Sequence, residues 1–126
     1  MAKILAVGNA VLDRVIDVTC YPQENTESRC LTMSERLGGN AVNSLMVLAQ
    51  MGHSVSWCGT LAQDSASHVL KQQLNAAQID HSTAQSIKKG STPISTILVA
   101  QDTGSRTISH FRHLPELDFE HFAQIS

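Results

Sequence analysis

Asp13, Asn40 and Asn43 carry short side chains with directional acceptors and donors. Two of them lie in the run LGGNAVNSLMVLAQMG, Leu37 to Gly52, where an apolar stretch with helical spacing begins. One carboxylate and two carboxamides, backed by the unpaired N–H groups of a helix's first turn, suit the vicinal hydroxyls of a polyol or sugar. Gly38 and Gly39 stand before the amides, and glycine there lets the backbone approach a ligand closely. A plain tight turn would use the same residues: Asn40 would then be a helix cap, Asn43 a solvated amide and Asp13 an exposed strand residue.

Other chemical groupings are weaker. His110 and His113 of HFRH sit three apart, so on a strand their rings point to opposite faces, and no Cys or carboxylate cluster completes a metal site. Ser65, Ser67 and His68 lack the strand-to-helix elbow of a nucleophilic serine. VGNAVLD holds one glycine, which is not a dinucleotide fingerprint, and no GxxxxGK[ST] phosphate loop occurs. Met33, Met46 and Met51 read as core filler.

The elements that must position these residues follow from periodicity. Ile4 to Val7 is a short apolar run, expected as a strand buried on both faces. Val11 to Val18 alternates, with Val11, Asp13, Val15 and Asp17 sharing one side. TCYPQENTES reads as a loop, followed by a strand near Arg29 to Met33. Ala41 to Met51 is an amphipathic helix with Asn40 as its cap, and Gly52 stands where a left-handed C-terminal residue belongs. Val55 to Leu61 predicts a strand, Ser65 to Ala77 a helix with Val69, Leu70 and Leu74 inward, and His81 to Ile87 a further short strand. That alternation is the rhythm of a parallel α/β sheet. Pro93 to Ala100 and Ser105 to Phe111 flank QDTG as a hairpin, and LDFEHFAQI begins a helix capped by Asp118. Antiparallel ribbons near residues 11–33 and 93–111 predict a small β layer projecting from the α/β body.

Composition removes whole classes of function. A net charge of −2 with scattered Lys and Arg gives no electrostatic case for nucleic acid or an anionic membrane. The amino terminus fits neither a signal peptide nor a membrane span. Three cysteines without CxxC spacing argue against a disulfide framework or zinc ribbon and set a reducing cytoplasm as the expectation. With 126 residues, 42% of them hydrophobic, the chain can build a core without such staples.

The Gly-Gly-Asn-x-x-Asn entry, with Gly52 and Gly59 beyond it, resembles the amino-terminal signature of the ribokinase-like, or PfkB, carbohydrate kinases. VGNAVLDRVIDV, YPQENTESRC, TPISTILV, GSRTI and the following Leu-Pro are similar to the ketohexokinase branch, almost from end to end. The resemblance implies the amino-terminal part, residues 1–126, of a ribokinase-like α/β domain with a projecting β lid. It implies that Asp13, Gly39, Asn40 and Asn43 hold sugar hydroxyls, and that Arg106 lies near the transferred phosphoryl group. Asn25 stands where that branch has an Asp reaching a neighbouring subunit's sugar; Asn keeps an acceptor and loses the charge. ATP with Mg²⁺ as phosphoryl donor and a homodimer formed through the lid are implied likewise. The family's later Gly-Ala-Gly-Asp motif, with its catalytic base, does not occur here, so no catalytic residue is assigned. The expected function is phosphorylation of a small sugar such as fructose, with this chain supplying a sugar half-site and lid. A non-catalytic sugar-binding or dimerisation module, or a relative acting on ribose or a nucleoside, stands beside it.

Overall fold

The computed structural model describes residues 1–125. In chain order the elements are β1 (Lys3–Val7), β2 (Val11–Val18), β3 (Thr32–Gly38), α1 (Asn40–Gln50), β4 (Ser54–Cys58), β5 (Thr60–Leu61), α2 (Ser65–Ala76), β6 (Ile79–Asp80), β7 (Gln85–Ser86), β8 (Ser91–Ala100), β9 (Arg106–His113) and α3 (Phe119–Ala123). The body is a parallel sheet in the order β1-β4-β6, with β5 and β7 forming a second parallel pair.

Helix α1 turns Val42 and Leu45 inward, and α2 turns Leu70 and Leu74 inward, against Trp57 and Val55 of β4 and Ile79 of β6. These side chains are spaced three and four apart, so each helix has one apolar stripe and rests it on the sheet. Trp57 is fully buried, and its Nε1 donates to the Gly8 carbonyl at 3.0 Å. α1 ends as its glycine suggests: Gly52 has φ 94°, its N–H reaches the Ala49 carbonyl at 3.0 Å, and the His53 N–H reaches Leu48 at 3.1 Å. That is a Schellman termination.

Strand β1 departs from the expectation of two buried faces. Ile4 and Ala6 pack on the core, while Leu5 and Val7 are 43% and 47% exposed, because β1 is an edge strand and these two side chains point away from the helices. The strand expected over residues 55–61 is interrupted at Gly59. Of the one expected over residues 81–87 only β7 is a strand; β6 ends before it at Asp80, whose carboxylate accepts the Ser82 N–H at 2.9 Å as the chain turns.

The second layer is a four-stranded sheet in the order β3-β2-β8-β9. Its outer pairs are antiparallel as expected, but its central pair, β2 with β8, is parallel, so the projecting layer is mixed. β3 begins later than its sequence suggests and runs on to Gly38, because it follows β2 along almost its whole length. Leu12 and Leu37, with Ile94 beside them, join the helical core and anchor the sheet at that end. Past them the layer extends away from the body, leaving Met33, on the same face as Leu12 and Leu37, 64% exposed.

α2 is tied to this layer by one carboxylate. Asp64 caps the helix by accepting the Ser67 N–H at 3.0 Å and also accepts the backbone N–H of Thr92 at 2.9 Å and the Thr92 hydroxyl. Asp118 caps α3 as expected, accepting the His121 N–H at 2.7 Å.

Candidate functional site

Strand register places Asp13 in a row that crosses all four strands of the projecting layer. Asp13 pairs with Arg36 on β3 and Ser95 on β8, and Ser95 pairs with His110 on β9. Directly paired residues share a face, so Arg36, Asp13, Ser95 and His110 stand side by side. Ser95 Oγ and His110 Nδ1 are 2.8 Å apart. In the sequence His110 stands out only beside His113, as a pair that does not complete a metal site, and nothing marks Arg36 or Ser95. Alternation within each strand could mark their faces, but not their partners.

The Asp13 carboxylate lies over Gly38. A side chain at residue 38 would put its Cβ 2.8 Å from Oδ1 and closer still to Oδ2. The empty space of a glycine is thus filled by the carboxylate, one residue before the turn into α1. Burial raises the Asp13 carboxyl above its ordinary value, and the positive charges of Arg36, His110 and Arg106 pull it part of the way back.

The turn itself is made at Gly39, whose φ of 101° only glycine adopts without strain. A Cβ there would collide with the Asn9 carbonyl oxygen. Gly39, rather than Asn40, is therefore the N-cap; Asn40 is the first helical residue and the helix has no side-chain cap. The reason is spatial: β3 runs to Gly38, and a single residue must reverse the backbone into α1. Asn40 and Asn43 are both exposed, and the Asn43 N–H closes the first turn on the Gly39 carbonyl at 2.8 Å. Asp13, Gly39, Asn40 and Asn43 are thus gathered around one strand-to-helix junction, with no acidic residue in the helix's first turn.

Two candidates lie farther off. Arg106 shares the Asp13 face, paired with Val99 in the row that contains Asp17, about 13 Å along β9 from His110. Asn25 sits in the loop beyond Val18, at the opposite end of β2 from the junction, with φ 61°. Asp17 is engaged structurally, accepting the Thr32 hydroxyl at 2.5 Å and the Gln101 amide at 3.3 Å. A hollow of about 600 Å³, lined among others by Cys20, Tyr21 and Asp102, lies at the Asn25 end of the layer, remote from Asp13. A smaller one of about 230 Å³, lined by Val7, Gly8, Asn9, Glu116 and Leu117, opens at the carboxyl end of β1.

Among the described residues no group of three His, Cys, Asp or Glu could hold a metal ion. No GxxxxGK[ST] phosphate loop occurs in the sequence. No helix is long and apolar enough to cross a membrane among the described residues.

Known proteins are similar to this chain along most of its length. The family model of the pfkB family carbohydrate kinases matches residues 1–123. The ketohexokinase of Mus musculus is 35% identical over 124 residues, covering 98% of this chain and 42% of that protein. A nucleoside kinase of Methanothermobacter thermautotrophicus is 28% identical over 108 residues, covering 86% of this chain and 34% of its own. Among solved structures, the ribokinase of Giardia lamblia superposes with a TM-score of 0.78 at 17% identity, over 90% of this chain and 36% of that one. The chain thus spans well under half the length of these relatives and carries part of their fold. With a model match over nearly its whole length, and an α/β body bearing the projecting sheet, the chain belongs to the pfkB family of carbohydrate kinases.

Proposed function

We propose that this chain supplies the sugar-binding half-site and the lid of an ATP-dependent sugar kinase of the ketohexokinase type. The observation that carries the reading is the junction at Gly38–Gly39, where the Asp13 carboxylate lies against Gly38 and the first turn of α1, which carries Asn40 and Asn43, follows directly. An ionised carboxylate accepts and carboxamides do both, a set that recognises adjacent hydroxyls. Asp13, Asn40 and Asn43 hold the sugar, and Gly39 keeps the junction tight enough for it to approach. Arg106, on the same face, offsets phosphate charge as the product forms.

The catalytic base and the ATP–Mg²⁺ site lie outside these residues, and the lid closes over the sugar to keep water from the transferring group. The lid also forms a homodimer. Its exposed apolar side chains, Leu31, Met33 and Phe111 among them, and the free edges of β3 and β9 support that reading, and Asn25 in the lid loop reaches the partner's sugar. Three free cysteines fit a cytoplasmic setting.

Fructose is the first substrate to test, because the ketohexokinase of Mus musculus is 35% identical to this chain over 124 residues. D-Fructose titrated into the chain should shift the backbone amides of Asn40 and Asn43 in NMR spectra, and Asp13→Asn should abolish the effect. Joined to the remaining carboxyl-terminal portion of mouse ketohexokinase, the chain should phosphorylate fructose with ATP. A folded chimera without turnover, and a chain whose amides ignore the sugar, would sink the proposal. Ribose or a nucleoside is the second reading, favoured by the match to a nucleoside kinase; the same titration with D-ribose and adenosine ranks them.

A further inference from the structure

Ser95 is the small member of the Arg36–Asp13–Ser95–His110 row, and it is only 9% exposed. To one side of it the Asp13 carboxylate leans away over Gly38, toward α1. To the other side stands His110, on edge strand β9, its Nδ1 engaged by the Ser95 hydroxyl at 2.8 Å. β2 and β9 are two strand spacings apart, about 9.6 Å. Ser95 thus separates the two, and its hydrogen bond draws the His110 ring toward the Asp13 side of the row.

The next row on the same face is apolar: Val15 and Ile97, both largely buried, with Ile108 beside them. Ile108, 52% exposed, offers a surface for the C–H edge of a ring, while the Asp13 row offers the polar contacts. An imidazole tethered through Nδ1 keeps its Nε2 directed outward at a fixed angle, which suits recognition of a hydroxyl better than a free side chain does.

We propose that His110, held by Ser95, is a specificity-determining residue of the sugar cleft, its Nε2 bonding a hydroxyl on the edge of the sugar that faces away from Asp13. The inference rests on the sugar-site reading above. It divides the work between two strands: Asp13 on β2 grips one edge of the ring and His110 on β9 reads the other. Substrates that lack or invert the second hydroxyl are then discriminated by the lid rather than by the junction.

The test uses the 126-residue chain, uniformly labelled with ¹⁵N, and D-fructose as the probe, titrated to hundreds of millimolar. The His110 ring nitrogens should shift along the same isotherm as the amides of Gly39, Asn40 and Asn43. His110→Leu should weaken the apparent Kd roughly tenfold, the value of one hydrogen bond, and His110→Gln should recover most of that loss. Ser95→Ala should change the ring nitrogen shifts before any sugar is added. The amide spectrum of each variant reports its fold, and His110 is exposed on an edge strand, so the His110 substitutions leave the core intact. If the Asn40 and Asn43 amides respond while the His110 ring does not, or if His110→Leu binds as tightly as the wild type, this inference falls and the sugar site stands. If neither set responds, both fall.

Discussion

The Asp13 carboxylate occupies the space that a side chain on Gly38 would need, so these two residues, 25 apart in sequence, are complementary in volume. Gly38→Ala must therefore displace the carboxylate. We expect a loss of about 1–3 kcal/mol in urea unfolding, together with loss of the fructose-induced amide shifts. Gly52→Ala is the control: nothing lies within 4 Å of its added methyl, but its φ of 94° is strained, so it should cost about 1–2 kcal/mol and leave sugar binding alone.

Asp13 is held at a cost to stability. Its folded carboxyl is raised above the unfolded value by burial, so its favourable contribution is complete below the unfolded value and is lost as pH rises through the folded one. Asp13→Asn should therefore raise the melting temperature at pH 7 while abolishing sugar binding. The advantage should shrink as pH falls through the raised folded value into the ordinary carboxylate range, because the wild-type carboxyl takes up its proton on the way. A variant less stable than wild type at pH 7 would contradict this balance.

Asp64 behaves in the opposite sense. Burial pushes its carboxyl up, but the Thr92 hydroxyl, the Thr92 N–H and the Ser67 N–H together bring it below the usual value. Its stabilisation is present above the unfolded value and is lost as pH falls through the lower folded one. Asp64→Ala removes the α2 cap and orphans the buried Thr92 hydroxyl, which should cost about 2–4 kcal/mol near neutrality. Chemical unfolding at pH 7 and again in acid below the ordinary carboxylate range should show the penalty shrinking.

Trp57 is the single tryptophan and is fully buried, so its emission should be blue-shifted and should report unfolding directly. Trp57→Phe leaves the Gly8 carbonyl without its indole donor and opens a small void beneath α1. A loss of about 1–3 kcal/mol by circular dichroism is expected.

Dimerisation through the lid has its own test. Met33 is exposed on the lid face opposite Asp13, so Met33→Asp should shift sedimentation from dimer toward monomer without altering the chain's melting in dilute solution. A wild-type monomer at micromolar concentration would dispose of the dimer.

Local chemistry was legible in the residues themselves. Apolar spacing and Gly52 mark α1, Asp118 marks α3, DTG marks the β8–β9 turn, and the Gly-Gly-Asn-x-x-Asn run marks the junction, because each depends on interactions within a few residues of chain. The tertiary structure alone decided the parallel pairing of β2 with β8, segments about eighty residues apart, which packing of Leu12, Leu37 and Ile94 on the helices holds in register. From that register came the partners of Asp13: Arg36 on one side, and Ser95 with His110 on the other. Alternation within a strand states which residues share a face. Which strand lies beside it, and in what register, is settled by burial of side chains distant in sequence.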